Sequence, residues 1–170
     1  LLDLSRTHTK LLAIVANTRG AIDASKFEEI DYLGYPFSIS ENFQMRNTHK
    51  TIEESIETLD EILDIAFKTN KEVVAYLSMG FGNPYGDAYS EELVLDWIQR
   101  LVNVGIRNFS LSDTVGLALP AEIESLHARV LQAFPDLQLS LHLHAHPSKV
   151  ESKILAALDS GCRRLEGALL

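Results

Sequence analysis

The 170 residues are 46% hydrophobic and 23% charged, a balance that suits one globular domain with a sizeable core. A net charge of −9 weighs against nucleic acid or an anionic membrane as the main partner, and the single cysteine, Cys162, excludes an internal disulfide. No apolar run approaches the roughly 18 residues of a membrane span and no signal-peptide pattern opens the chain, so a cytoplasmic setting is expected.

Short apolar runs alternate with longer amphipathic ones. Strands are predicted over 11–17 and 30–38. A capping box follows, Thr51 with Glu54 three residues on, and opens a helix whose apolar positions are Ile52, Ile56, Leu59, Leu63 and Phe67. A third strand is predicted over 72–79. Ser90, with Glu91 and Glu92 at the positive end of the dipole, starts a helix that runs to Val104 and stops at Gly105. After a strand over 107–113, Pro120 suits a first helical turn with Ile123, Leu126 and Val130 behind it. The fifth strand covers 137–145. Ser148 and Glu151 read as a second capping box, Gly161 closes that helix, and a sixth strand is predicted over 163–169.

Strand and helix in units of about 30–40 residues indicate βαβ units and a parallel sheet. An open doubly wound sheet should be apolar on both faces. Here Phe109 and Leu111 alternate with Asn108, Ser110 and Ser112, and the run 137–144 places leucine at every odd position and polar residues at even ones. Polar residues on one strand face suit the inside of a (β/α)8 TIM barrel, and those near strand C-termini its active-site mouth. About 250 residues is usual for eight units, so a single partial barrel of about six βα units is expected over 1–170.

His142 and His144 project the same way at the end of a strand, about 6–7 Å apart on a pleated backbone. An imidazole pair at that spacing can hold one metal ion, although two ordinary polar residues on a solvated face would read the same. His146 keeps the parity but sits beside Pro147, where a strand should have ended. It is expected at the mouth rather than among the ligands. Cys162, far from the mouth in sequence, is expected to be a buried thiol.

Four segments, in order, resemble one known family. Ser110-Leu111-Ser112-Asp113-Thr114-Val115-Gly116 resembles the S-L-x-D-T-x-G strand end of 3-hydroxy-3-methylglutaryl-CoA lyases, and His142-Leu143-His144 their H-x-H metal pair. Tyr76-Leu77-Ser78 followed by Gly82-Asn83-Pro84-Tyr85 is similar to their Y-x-S strand and C/N-P-Y loop. Asn47 through Thr51-Ile52-Glu53-Glu54-Ser55 is similar to their N-x-x-x-S/T-I-E-E-S helix entry.

The resemblance implies cleavage of 3-hydroxy-3-methylglutaryl-CoA into acetyl-CoA and acetoacetate with Mg²⁺ or Mn²⁺. It implies His142 and His144 as metal ligands, and His142 and Asp113 as catalytic groups. Ser110, Tyr76, Asp113 and Thr114 would contact the substrate, and Asn17, Arg46 and Asn47 the coenzyme, although Arg46 also reads as a solvated charge and Asn17 as a turn residue. The partners would be an acyl-CoA substrate and a second copy in a homodimer, without nucleic acid or membrane. Ala145 departs from the pattern, since the family carries an acid there. Its R-D-G/E motif does not occur ahead of Leu11, and its G-G-C-P loop would follow Leu170. The bare 170 residues are therefore expected to be part of a lyase and to hold metal weakly. The alternatives are a related aldolase or Claisen-type synthase, of the isopropylmalate or homocitrate synthase kind, and a non-catalytic fragment.

Overall fold

The computed structural model describes residues 7–167. Six parallel strands stand side by side in sequence order: β1 (Leu11–Ile14), β2 (Ile30–Ser38), β3 (Glu72–Ser78), β4 (Asn108–Asp113), β5 (Gln138–Leu143) and β6 (Leu165–Glu166). They curl into part of a barrel. The helices α1 (Thr18–Ser25), α2 (Glu41–Thr48), α3 (Ile52–Lys68), α4 (Glu91–Val104), α5 (Pro120–Ala133) and α6 (Val150–Asp159) fill the connections. No helix of the described residues is long and apolar enough to cross a membrane.

Alternation divides each strand between two environments. Leu33, Tyr35, Phe37, Leu77, Phe109, Leu111 and Leu141 are buried, and share one core with Leu59 and Ile62 of α3, Ile98 and Leu101 of α4, and Ile123, Leu126 and Val130 of α5. The register pairs Tyr76 with Ser110 and Ser110 with Ser140, then Ser112 with His142 and His142 with Glu166. These residues therefore share the other, concave face. Gly34 belongs there too. A Cβ at Gly34 would stand 2.9 Å from the Tyr76 ring, so the small residue makes room for the phenol.

The helix starts follow their caps. Thr51 and Glu54 form the reciprocal capping box of α3 as expected, and the Ser90 hydroxyl accepts from Leu93 N at α4. The second expected box does not form. Glu151 lies in the first turn of α6, but the Ser148 hydroxyl is engaged by His146 Nδ1 at 2.9 Å and Lys149 stands at the cap. Phe67 also departs from expectation, at 88% exposed. The buried line of α3 runs Ile52, Ser55, Leu59, Ile62, Ala66, and Phe67 is rotated about 100° from Ala66.

Two helices carry no strong signal in the sequence. Both α1 and α2 are eight residues long, too short for a periodic apolar stripe, and each shows one fully buried residue, Ala21 and Gln44. Gln44 is held by polar contacts, accepting from Ser38 N at 2.7 Å and donating to Ser55 Oγ at 2.6 Å. The strands are shorter than expected at β1 and β5, which end at Ile14 and Leu143. Of the last strand, predicted over 163–169, the sheet keeps Leu165–Glu166, and residues 168 and 169 lie outside the described residues.

Candidate active site

His142 stands on β5 and His144 just beyond its end, where the ladder has released the backbone. Their Nε2 atoms are 3.0 Å apart and their ring centroids 5.0 Å. That separation fits one N–H donating to the other ring. It also fits two lone pairs on one octahedral ion, whose adjacent ligands at about 2.1 Å lie about 3 Å apart. Among the described residues, no group of three or more His, Cys, Asp or Glu is placed to hold a metal. The chain supplies a two-imidazole edge, and the donor type and spacing fit a divalent ion.

Glu166 stands across from His142, its Oε2 3.6 Å from Nδ1, and Nδ1 is buried without a hydrogen-bond partner. The other Glu166 oxygen accepts from Ser140 Oγ at 2.5 Å. Tyr76 meets the His142 ring edge-on at 6.1 Å. Burial, then the Glu166 charge and hydrogen bond, push the Tyr76 phenol well above its ordinary value. It remains protonated at neutral pH and acts as a donor rather than a base.

A cavity of about 220 Å³ opens beside these groups, lined also by Ser112, Thr114, Ile14 and Pro36. Thr114 Oγ1 accepts from Met79 N at 2.8 Å and so ties the end of β3 to that of β4, where Met79 adopts φ 60°. Ser110 shares the concave face, fully buried, and its hydroxyl has no partner.

Asp113 lies elsewhere than the motif implied. Ser112 is paired with His142 on the concave face, so its neighbour Asp113 turns to the helices, with Phe109 and Leu111. There Lys153 Nζ of α6 donates to Asp113 Oδ2 at 2.5 Å, and Ala118 N donates to Oδ1 at 3.2 Å. The ion-paired side chains are 1% and 3% exposed. A carboxylate so enclosed is an anchor, not a group in contact with substrate. The same parity was present in the sequence.

The three residues expected at the coenzyme lie on two helices, Asn17 at the start of α1 and Arg46 and Asn47 side by side on α2. Asn17 caps α1, its side chain accepting from Gly20 N at 2.8 Å. The Arg46 guanidinium lies 4.9 Å above the Tyr85 ring, and Asn47 is exposed near the end of α2. Cys162 is a buried free thiol, pushed up by burial, which disfavours the nucleophilic thiolate. His146 is exposed and engaged with Ser148.

Two neighbours of the site escaped the sequence reading. Glu166 becomes visible once β6 is paired with β5, a register no single segment displays. Lys153 has a local signal, because it shares the buried side of α6 with Ala156 and Ala157.

The family model described as HMGL-like matches residues 6–170. The chain belongs to the HMGL-like family. Among its similar members, hydroxymethylglutaryl-CoA lyase YngG of Bacillus subtilis is 32% identical over 92% of this chain and 52% of its own length. The cytoplasmic 3-hydroxy-3-methylglutaryl-CoA lyase of rat is 29% identical over 76% of this chain and 38% of its own. This HMGL-like chain spans about half the length, or less, of these relatives.

Solved structures agree. The HMG-CoA lyase of B. subtilis superposes with a TM-score of 0.86 at 32% identity, covering 95% of this chain and 54% of that one. The enzyme of Acinetobacter baumannii, in complex with coenzyme A and 3-methylmalate, gives 0.86 at 26%, covering 96% and 53%. Relatives named as cytoplasmic and as mitochondrial both match.

Proposed function

We propose that this chain carries part of the active site of a carbon–carbon lyase that cleaves 3-hydroxy-3-methylglutaryl-CoA into acetyl-CoA and acetoacetate. The observation that carries the reading is the convergence of His142 and His144 Nε2 at the C-terminal end of a barrel strand, in a chain of the HMGL-like family. The ligand named in the A. baumannii complex supports an acyl-CoA substrate.

His142 and His144 would hold Mg²⁺ or Mn²⁺, with other donors completing the shell. A bound ion of this kind polarises the substrate's hydroxyl and carbonyl oxygens. The chain's own groups account for the rest. Tyr76, kept protonated, lines the cavity as a hydroxyl donor, and the Ser112 and Thr114 hydroxyls offer polar contacts for the acyl portion. Glu166 faces the Nδ1 edge of His142 and favours the tautomer with its proton there, leaving Nε2 free to ligate. The reaction needs a base to take the tertiary hydroxyl proton. The carbon–carbon bond then breaks, its electron pair passes to the thioester-stabilised carbon, and an acid protonates that carbon.

The test is release of acetyl-CoA and acetoacetate from 3-hydroxy-3-methylglutaryl-CoA by the full-length protein, with and without added Mg²⁺. We expect metal-dependent release that His142→Ala abolishes. Wild-type turnover in His142→Ala would end the metal assignment. Condensation of acetyl-CoA with an oxo acid, without cleavage, would replace the lyase by a synthase.

A further inference from the structure

Lys153 is a lysine on α6 that is 2% exposed, and the proposed chemistry gives it no role. Each of its ammonium hydrogens has an acceptor. Nζ donates to Asp113 Oδ2 at 2.5 Å, to the His144 carbonyl at 2.9 Å and to the Gly116 carbonyl at 3.2 Å. One side chain thus joins the end of β4, the turn after it, and the backbone of the second histidine.

We infer that Lys153 is the positioning residue of the imidazole pair, fixing the His144 backbone so that its ring meets His142. Three observations converge on this. His144 lies beyond the last ladder residue of β5, Leu143, so the sheet does not set its backbone. Gly116, at φ +72°, brings its backbone so close that a Cβ there would stand 3.3 Å from the His144 carbonyl oxygen. That same oxygen accepts from Lys153. The Asp113 carboxylate holds the ammonium in place, and the burial of both excludes the water that would otherwise compete for the carbonyl.

This inference rests on the proposed metal reading for its purpose, and on geometry alone for its existence. Lys153→Met by itself would strand the buried Asp113 carboxylate and endanger folding. The informative comparison is between two neutral pairs in the full-length protein, Asp113→Asn with Lys153→Met and Asp113→Asn with Lys153→Gln. Both remove the charges, and the second keeps an N–H donor one bond shorter than the lysine's. Mn²⁺ affinity, followed by the EPR signal of the free ion without substrate, should fall about tenfold or more in the Met pair. The Gln pair should recover part of that loss. In metal-free protein labelled with ¹⁵N-histidine, the His144 ring signals of the Met pair should depart from their wild-type positions as the ring leaves His142.

A folded Met pair with unchanged histidine signals and Mn²⁺ affinity within twofold of wild type would overturn the inference. If wild type and His144→Ala bind Mn²⁺ alike, the metal assignment falls instead, and the histidine signals alone decide the role of Lys153.

Discussion

The two faces of β4 and β5 belong to the same residues of chain and obey opposite rules. On the helix side, Leu111, Leu141 and the Asp113–Lys153 pair are enclosed, and the lysine has an acceptor for each hydrogen. On the concave side, Ser110 Oγ and His142 Nδ1 are buried and have no partner. An unsatisfied buried polar atom costs about 1–3 kcal/mol, so a face that carries two of them is not arranged for stability. The contrast shows where the fold is held and where the chemistry is held, one residue apart.

Substitutions across that divide test it. The largest effect is expected from Lys153→Met alone, which should lower the unfolding free energy by about 3–5 kcal/mol because a carboxylate is left buried and unpaired. A loss below about 1 kcal/mol in denaturant titration would show that water reaches Asp113. Next comes Leu141→Ala, with an expected loss of about 2–5 kcal/mol. Its neighbour His142→Ala should lose less than about 1 kcal/mol while abolishing turnover. Should the neighbours exchange these outcomes, the division between the faces fails. Ser110→Ala sharpens it further, since removing a hydroxyl without a partner should leave stability unchanged or raised by up to about 1 kcal/mol. Any functional role of that hydroxyl would then appear as a higher KM.

The smallest effect is a pH dependence. Burial pushes the Tyr89 phenol up to about 12, and its hydroxyl donates to the Gly80 carbonyl at 3.2 Å. Below pH 10 this phenol is protonated in both folded and unfolded chains. Above it, the unfolded chain releases the proton first, so the stability contribution is lost as pH rises through about 12. Tyr89→Phe should flatten the fall in stability between about pH 10 and 12, and an unchanged slope would place that phenol in solvent.

Alternation was the legible part of the sequence. It marked the two faces of β4 and β5 and put His142 on the concave one, because period-two patterning survives wherever a strand separates two environments, whereas β2 and β3 were marked by short apolar runs. The same parity already set Asp113 with Phe109 and Leu111, against the role its motif suggested. Short α1 and α2 left too little periodicity to read, and the partner of Asp113 lay 40 residues away on a helix. Pairings of that kind exist only in three dimensions. Glu166 became a neighbour of His142 through the β5–β6 register in the same way.

The sequential strand order has a consequence for how the protein is made. Among the described residues, each strand from β2 to β6 pairs with the one synthesised just before it, so a unit leaving the ribosome already has its template in place. The histidine pair is therefore among the later parts of this segment to be assembled, on a sheet in which β1 to β4 have had time to dock. Lys153 emerges later still, and Glu166, which faces His142, after it, so the pair takes shape only once α6 and β6 have joined the sheet.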